Sequence, residues 1–178
     1  GEDGPMSENT DDVIGDIFME TEDLYKLDPE VAANKIMDLI TLRVESEAAS
    51  VFFSDTNSLL KDLVIVSARG PVAEKIKGAR IPLGKGIVGF SVVNGVKLIV
   101  NNVQKNPNFY GELDKAHGFK TRSILCVPIQ HNDRAYGAIE VINKTGGHEW
   151  TTFDANILES VAGILGRAID TRTMTAPD

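Results

Sequence analysis

A chain of 178 residues, 42% hydrophobic and 25% charged, is long enough for one domain with a substantial core and flanking helices. A net charge of −8 without any local Lys/Arg cluster gives nucleic-acid binding no electrostatic support, and a single cysteine excludes an internal disulfide and a cysteine-based metal cluster. No apolar run approaches the roughly 20 residues of a membrane span, and the acidic N-terminus lacks the basic and apolar regions of a signal peptide, so the expected setting is the reducing cytoplasm, with neither membrane nor nucleic acid as partner.

Residues 1–11 are polar and acidic and are expected to be disordered, with Gly1–Pro5 reading as an expression remnant. From Asp12 to Leu27, the residues Val13, Ile14, Ile17, Phe18, Leu24 and Tyr25 recur at three-to-four spacing, which predicts an amphipathic linker helix over 12–28. Asp28-Pro29-Glu30 starts a second helix, with Asp28 as N-cap and Pro29 at the first helical position. Its apolar stripe is Val31, Ala32, Ile36, Leu39, Ile40 and Val44.

Ala48–Ser54 and Leu60–Arg69 read as strands joined by the turn Asp55–Ser58. Val72–Lys77 is a short helical piece and Arg80–Leu83 is extended. Gly84-Lys85-Gly86 then turns into a helix over Ile87–Val93 that Asn94-Gly95 closes. Lys97–Val100 is a short strand, and Val103–Gly118 is a loop and helix. Ser123–Gln130 and Arg134–Asn143 form a hairpin across His131-Asn132-Asp133, both strands being apolar enough to be central. A final helix runs over Thr151–Arg172, with residues 173–178 as a tail. Hairpins mixed with helices predict an α+β domain on an antiparallel sheet over 29–172.

No catalytic arrangement is evident. Cys126 lies mid-strand in SILCVPI, where a small buried hydrophobe is the plain reading. His117, His131 and His148 sit in three separate polar stretches without metal-ligand spacing. PLGKGIVGF matches neither phosphate-loop pattern, yet a helix opening at Gly86 presents free N–H groups that suit an anion; the alternative is a simple turn into a packed helix.

The segments IPLGKGIVGFSVVNG, GFKTRSILCVPI and YGAIEVINK resemble a GAF domain, most of all the regulatory GAF domains of cyclic-nucleotide phosphodiesterases and adenylyl cyclases. The resemblance covers Pro29–Thr171. It implies a PAS-like fold: a central antiparallel sheet of about six strands, terminal helices on one face, and a ligand pocket with a lid helix on the other. The NKFDE motif of that group is matched by Asn143, Lys144, Trp150 in the Phe place, and Asp154, while Ala155 replaces the Glu. There the Lys and Asp form a buried ion pair that locks the pocket, and Trp150 would serve as the aromatic plug.

By the same resemblance, Ser50 faces the base, and Ile87 and Val88 offer backbone N–H groups to a cyclic phosphate. Tyr110, Asp114 and Thr121 belong to the lid and its following loop, His117 stands where Thr is common, and Glu140 is a strand carboxylate near the ligand. Arg69 stands where cGMP-binding members tend to carry Asp, and Ala68 where an aromatic stacks on the base. An arginine offers donors only, which predicts cAMP over cGMP.

The expected function is a regulatory sensor that binds a cyclic nucleotide, needs no other cofactor, dimerises through its terminal helices and signals to an effector outside this chain. The alternatives are an empty GAF dimerisation module and a haem or tetrapyrrole sensor using His117. Methionine sulfoxide reduction, known for some GAF proteins, relies on several cysteines, so an enzyme is not expected.

Overall fold

The computed structural model of the chain describes residues 10–59 and 61–175; the readings for residues 1–9, Leu60 and residues 176–178 lie outside the described residues. Two helices, α1 (Thr10–Glu20) and α2 (Pro29–Arg43), lead into the strands β1 (Ser46–Ser54) and β2 (Leu63–Arg69). The short α3 (Ala73–Ile76), β3 (Arg80–Ile81), α4 (Gly86–Asn94) and β4 (Leu98–Val100) follow, then α5 (Glu112–His117), β5 (Ile124–His131), β6 (Arg134–Lys144) and α6 (Thr152–Thr175).

The six strands form one antiparallel sheet in the order β3-β2-β1-β6-β5-β4, which makes both strands of the β5–β6 hairpin interior. Their two-residue turn places Asn132 at φ 50° and Asp133 at φ 62°, the left-handed pair that matches the twist of adjoining strands. Strand alternation then divides the core. Val51, Leu125, Val127, Ile139 and Val141 pack on one face against α1, α2 and α6. Phe52, Ile65, Ile124, Cys126 and Ala138 point the other way, toward Ile87, Val88 and Val92 of α4.

Helix ends follow recognisable chemistry. Gly95, at φ 65°, closes α4 with its N–H on the Ser91 carbonyl. At the start of α6, the Thr151 hydroxyl accepts from the Asp154 N–H at 3.1 Å and the Asp154 carboxylate accepts from the Thr151 N–H at 2.9 Å, a reciprocal capping box. Further along α6, a Cβ added at Gly166 would sit 2.6 Å from the Gln130 carbonyl oxygen, so the helix rests directly on the end of β5.

Three expectations are corrected. The helix predicted over Asp12–Leu27 is broken: α1 ends at Glu20, the Thr21 hydroxyl donates back to the Ile17 carbonyl at 2.7 Å, and only a single turn at Leu24–Lys26 follows. Ile17 and Leu24 are buried, but Phe18 and Tyr25 of the same stripe are 52% and 41% exposed. Asp28 takes the N-cap position of α2 without capping it, because its carboxylate pairs with Arg172 of α6 at 2.6 Å. Val31, expected in the stripe of α2, is half exposed, and Ala33 and Met37 are buried instead. No described helix is long and apolar enough to cross a membrane.

Candidate functional site: a pocket under a lid helix

The pocket lies on the sheet face opposite α1, α2 and α6. Its floor is Ser50 of β1 and Glu140 of β6, which are register partners, and its side is the first turn of α4. Tyr110, Leu113, Asp114 and Thr121 close it from the segment carrying α5. The first intrahelical bond of α4 runs from the Gly89 N–H to the Lys85 carbonyl, so the Gly86, Ile87 and Val88 N–H groups precede the ladder. Gly86 makes this turn possible: its φ is +71°, and a Cβ there would meet the Tyr110 Cβ at 3.0 Å.

The lid is held shut by its own side chains. Asp114 accepts from the Thr121 N–H at 2.7 Å and from the Thr121 hydroxyl at 2.8 Å, tying α5 to the loop that returns to β5. That loop is fixed in turn by Asn143. Its Oδ1 accepts from the Arg122 N–H at 2.7 Å and the Ser123 N–H at 3.1 Å, and its Nδ2 donates to Glu47 and to the Lys120 carbonyl at 2.9 Å each. The Asn143 amide, then Arg122, hold the Glu47 carboxyl below the usual carboxylate range. The next residue, Lys144, donates to Asp154 at 2.6 Å and so joins β6 to the cap of α6.

Between these walls the free space is about 70 Å³. That is room for a few waters, whereas pockets for organic ligands run to roughly 300–1,000 Å³. A ligand of nucleotide size therefore enters only when the lid moves outward. Glu140 is half-buried because it faces this small space. Burial first, and then the Asp114 charge, push its carboxyl up from 4.5 to about 7.

Of the residues singled out in the sequence, Ser50, Ile87, Val88, Tyr110, Asp114, Thr121 and Glu140 come together around this space. Ala68 is buried in the same apolar layer, and His117, at the end of α5, does not line the pocket. Trp150 packs in the core on the opposite face, and the Lys144–Asp154 pair stands at the β6–α6 junction, so neither plugs nor lines the pocket.

Arg69 is the main correction. A bulge in β2 places Val51 opposite Ser67 but Phe52 opposite Ile65, so Val66 is extra and the alternation flips beyond it. Ser67 and Arg69 consequently reach α2, with Ser67 on Asn34 at 2.6 Å and Arg69 on Asp38 at 3.0 Å. Arg69 cannot read a base in this pocket. Sequence reasoning also missed Phe109, Leu113 and Phe119, which line the pocket from the lid; three large apolar residues in an otherwise polar stretch were the available signal.

A model of the GAF domain family matches residues 28–169. The chain belongs to the GAF domain family. Over 158 residues this GAF domain is 29% identical to the dual 3',5'-cyclic-AMP and -GMP phosphodiesterase 11A of Takifugu rubripes, an alignment covering 84% of this chain and 18% of that protein. The GAF domain thus spans under a fifth of that relative's length. It superimposes on the GAF domain of a Coxiella burnetii phosphoenolpyruvate-protein phosphotransferase with a TM-score of 0.79 at 16% identity, covering 96% of this chain and 98% of that one. It also superimposes on the free methionine-R-sulfoxide reductase of Neisseria meningitidis with a TM-score of 0.75 at 20% identity, covering 94% and 92%. Those two likenesses establish the fold alone.

Proposed function

We propose that this GAF domain senses a small molecule, that its ligand is a cyclic nucleotide, and that the ligand binds once α5 moves outward. The observation that carries the reading is the pairing of polar groups in one pocket: first-turn N–H groups of α4, and a carboxylate, Glu140, that accepts no hydrogen bond from any described residue. A cyclic phosphate suits the former, and the donors of a base or ribose suit the latter. The likeness to a dual cyclic-nucleotide phosphodiesterase adds support. With Arg69 on the α2 side, the expected preference for cAMP loses its carrier. An ionised Glu140 can accept from donors of either base or from ribose hydroxyls, so nothing in the pocket favours cAMP over cGMP.

Thermal unfolding and calorimetry with cAMP, cGMP and cyclic dinucleotides test this. A ligand at a hundred times its Kd adds about 2.7 kcal/mol of stability. No shift with any of them at millimolar concentration would refute the reading.

In this reading the domain is not an enzyme. Cys126 is fully buried, and burial pushes its thiol up, away from a reactive thiolate. A haem bound through His117 has no support, since that residue stands outside the pocket. Signalling would pass through α1 and α6 of a homodimer to an effector beyond this chain. The second reading is a ligand-free dimerisation module, which the 70 Å³ cavity and the exposed Phe18, Met19 and Tyr25 favour. Sedimentation would then show a dimer that nucleotide leaves unchanged.

A further inference from the structure

Two carboxylates from opposing elements share the cavity, and no Lys, Arg or His lines it. Asp114, on α5, keeps the lid seated by accepting both donors of Thr121. Glu140, on β6, has no such partners among the described residues. The titratable groups around it are Asp114 from α5, Tyr110 from the segment before α5, and Cys126, its register partner on β5. Ser50 of β1 and Thr121 add neutral hydroxyls, and the lining residues of α4 add no charge.

We propose that Glu140 is a proton-operated latch on the lid: a protonated Glu140 lets α5 close over the cavity, and an ionised one repels Asp114 and releases α5. This rests on reading the cavity as a lidded pocket and not on which ligand enters. With the lid closed, burial and Asp114 hold the Glu140 carboxyl near 7. Lifting α5 admits water and removes Asp114, returning the group toward its ordinary 4.5. Between these values the closed form holds a proton that the open form lacks, so opening becomes easier as pH rises through that window and levels off above about 7. Full relaxation corresponds to a roughly 60-fold rise in the opening constant between pH 5 and pH 7.5. A ligand donor seated on Glu140 below neutrality would, for the same reason, expel a proton.

Hydrogen exchange of the Tyr110–Thr121 amides in the ligand-free chain, corrected for intrinsic rates, reads the latch directly. Protection in this segment should fall tenfold or more from pH 5 to pH 7.5. In Glu140→Gln, which cannot ionise, it should stay high and flat. His117→Gln should keep the wild-type slope. Carboxyl carbon-13 titration should place the Glu140 midpoint near 7 and needs no variant. A pH-independent lid, a slope retained in Glu140→Gln or lost in His117→Gln, or a Glu140 midpoint near 4.5 overturns the proposal. None of these outcomes depends on nucleotide binding, so the latch and the ligand assignment can fail separately.

Discussion

Replacing Asn143 with Ala isolates what holds the lid's return loop. Asn143 is 1% exposed and sits at φ 56°, where its short amide side chain is tolerated and alanine is strained by about 1 kcal/mol. Its Oδ1 is the acceptor for two backbone N–H groups. Leaving the buried Ser123 N–H unpaired costs about 2 kcal/mol, and the more accessible Arg122 N–H about 1. The expected loss is about 4 kcal/mol, a large share of a typical domain's stability. Asn143→Gly loses the same bonds but relieves the backbone, so it should be about 1 kcal/mol less damaging than Asn143→Ala. Urea unfolding followed by the fluorescence of Trp150, the single tryptophan and 4% exposed, measures both. A loss below about 1.5 kcal/mol in Asn143→Ala, or a glycine variant no better than the alanine one, would refute the reasoning.

Lys144→Met leaves Asp154 without its cation and should cost about 3 kcal/mol in the same assay. Asp154→Ala also removes the capping box of α6 and should cost about 1 kcal/mol more. Arg69→Ala breaks a solvent-exposed pair with Asp38 and a hydrogen bond to the Ala68 carbonyl, so stability should change by about 1 kcal/mol and the cAMP-to-cGMP affinity ratio, read by calorimetry, should not move. Gly166→Ala, normally stabilising by up to about 1 kcal/mol inside a helix, should instead destabilise by about 2, because the new methyl meets the Gln130 carbonyl.

Much of the fold was legible because local signals agreed. The β5–β6 turn announced itself in Asn132-Asp133 and the end of α4 in Asn94-Gly95, whereas only the family resemblance of YGAIEVINK places Glu140 near the pocket. Arg69 shows where that logic stops. Counting in twos from the buried Leu63 and Ile65 puts residue 69 on the pocket side, and only the extra residue Val66 in β2 reverses it. A one-residue bulge leaves no mark in composition. The break after α1 was hidden for a similar reason: Ile17 and Leu24 remain buried on either side of it, so the apolar spacing reads through. Asp114 and Thr121 both line the cavity, but their bond to each other joins residues seven apart through a turn that spacing alone does not reveal.

The contact between Gly166 and Gln130 limits how α6 can carry a message. The helix lies with Gly166 directly on the Gln130 backbone and with Leu158, Val161 and Leu165 buried in the core. It cannot roll, because turning about its own axis would drive the Leu165 or Arg167 side chain into the Gln130 backbone. A rotary signal along α6 would therefore require the helix to leave the sheet first.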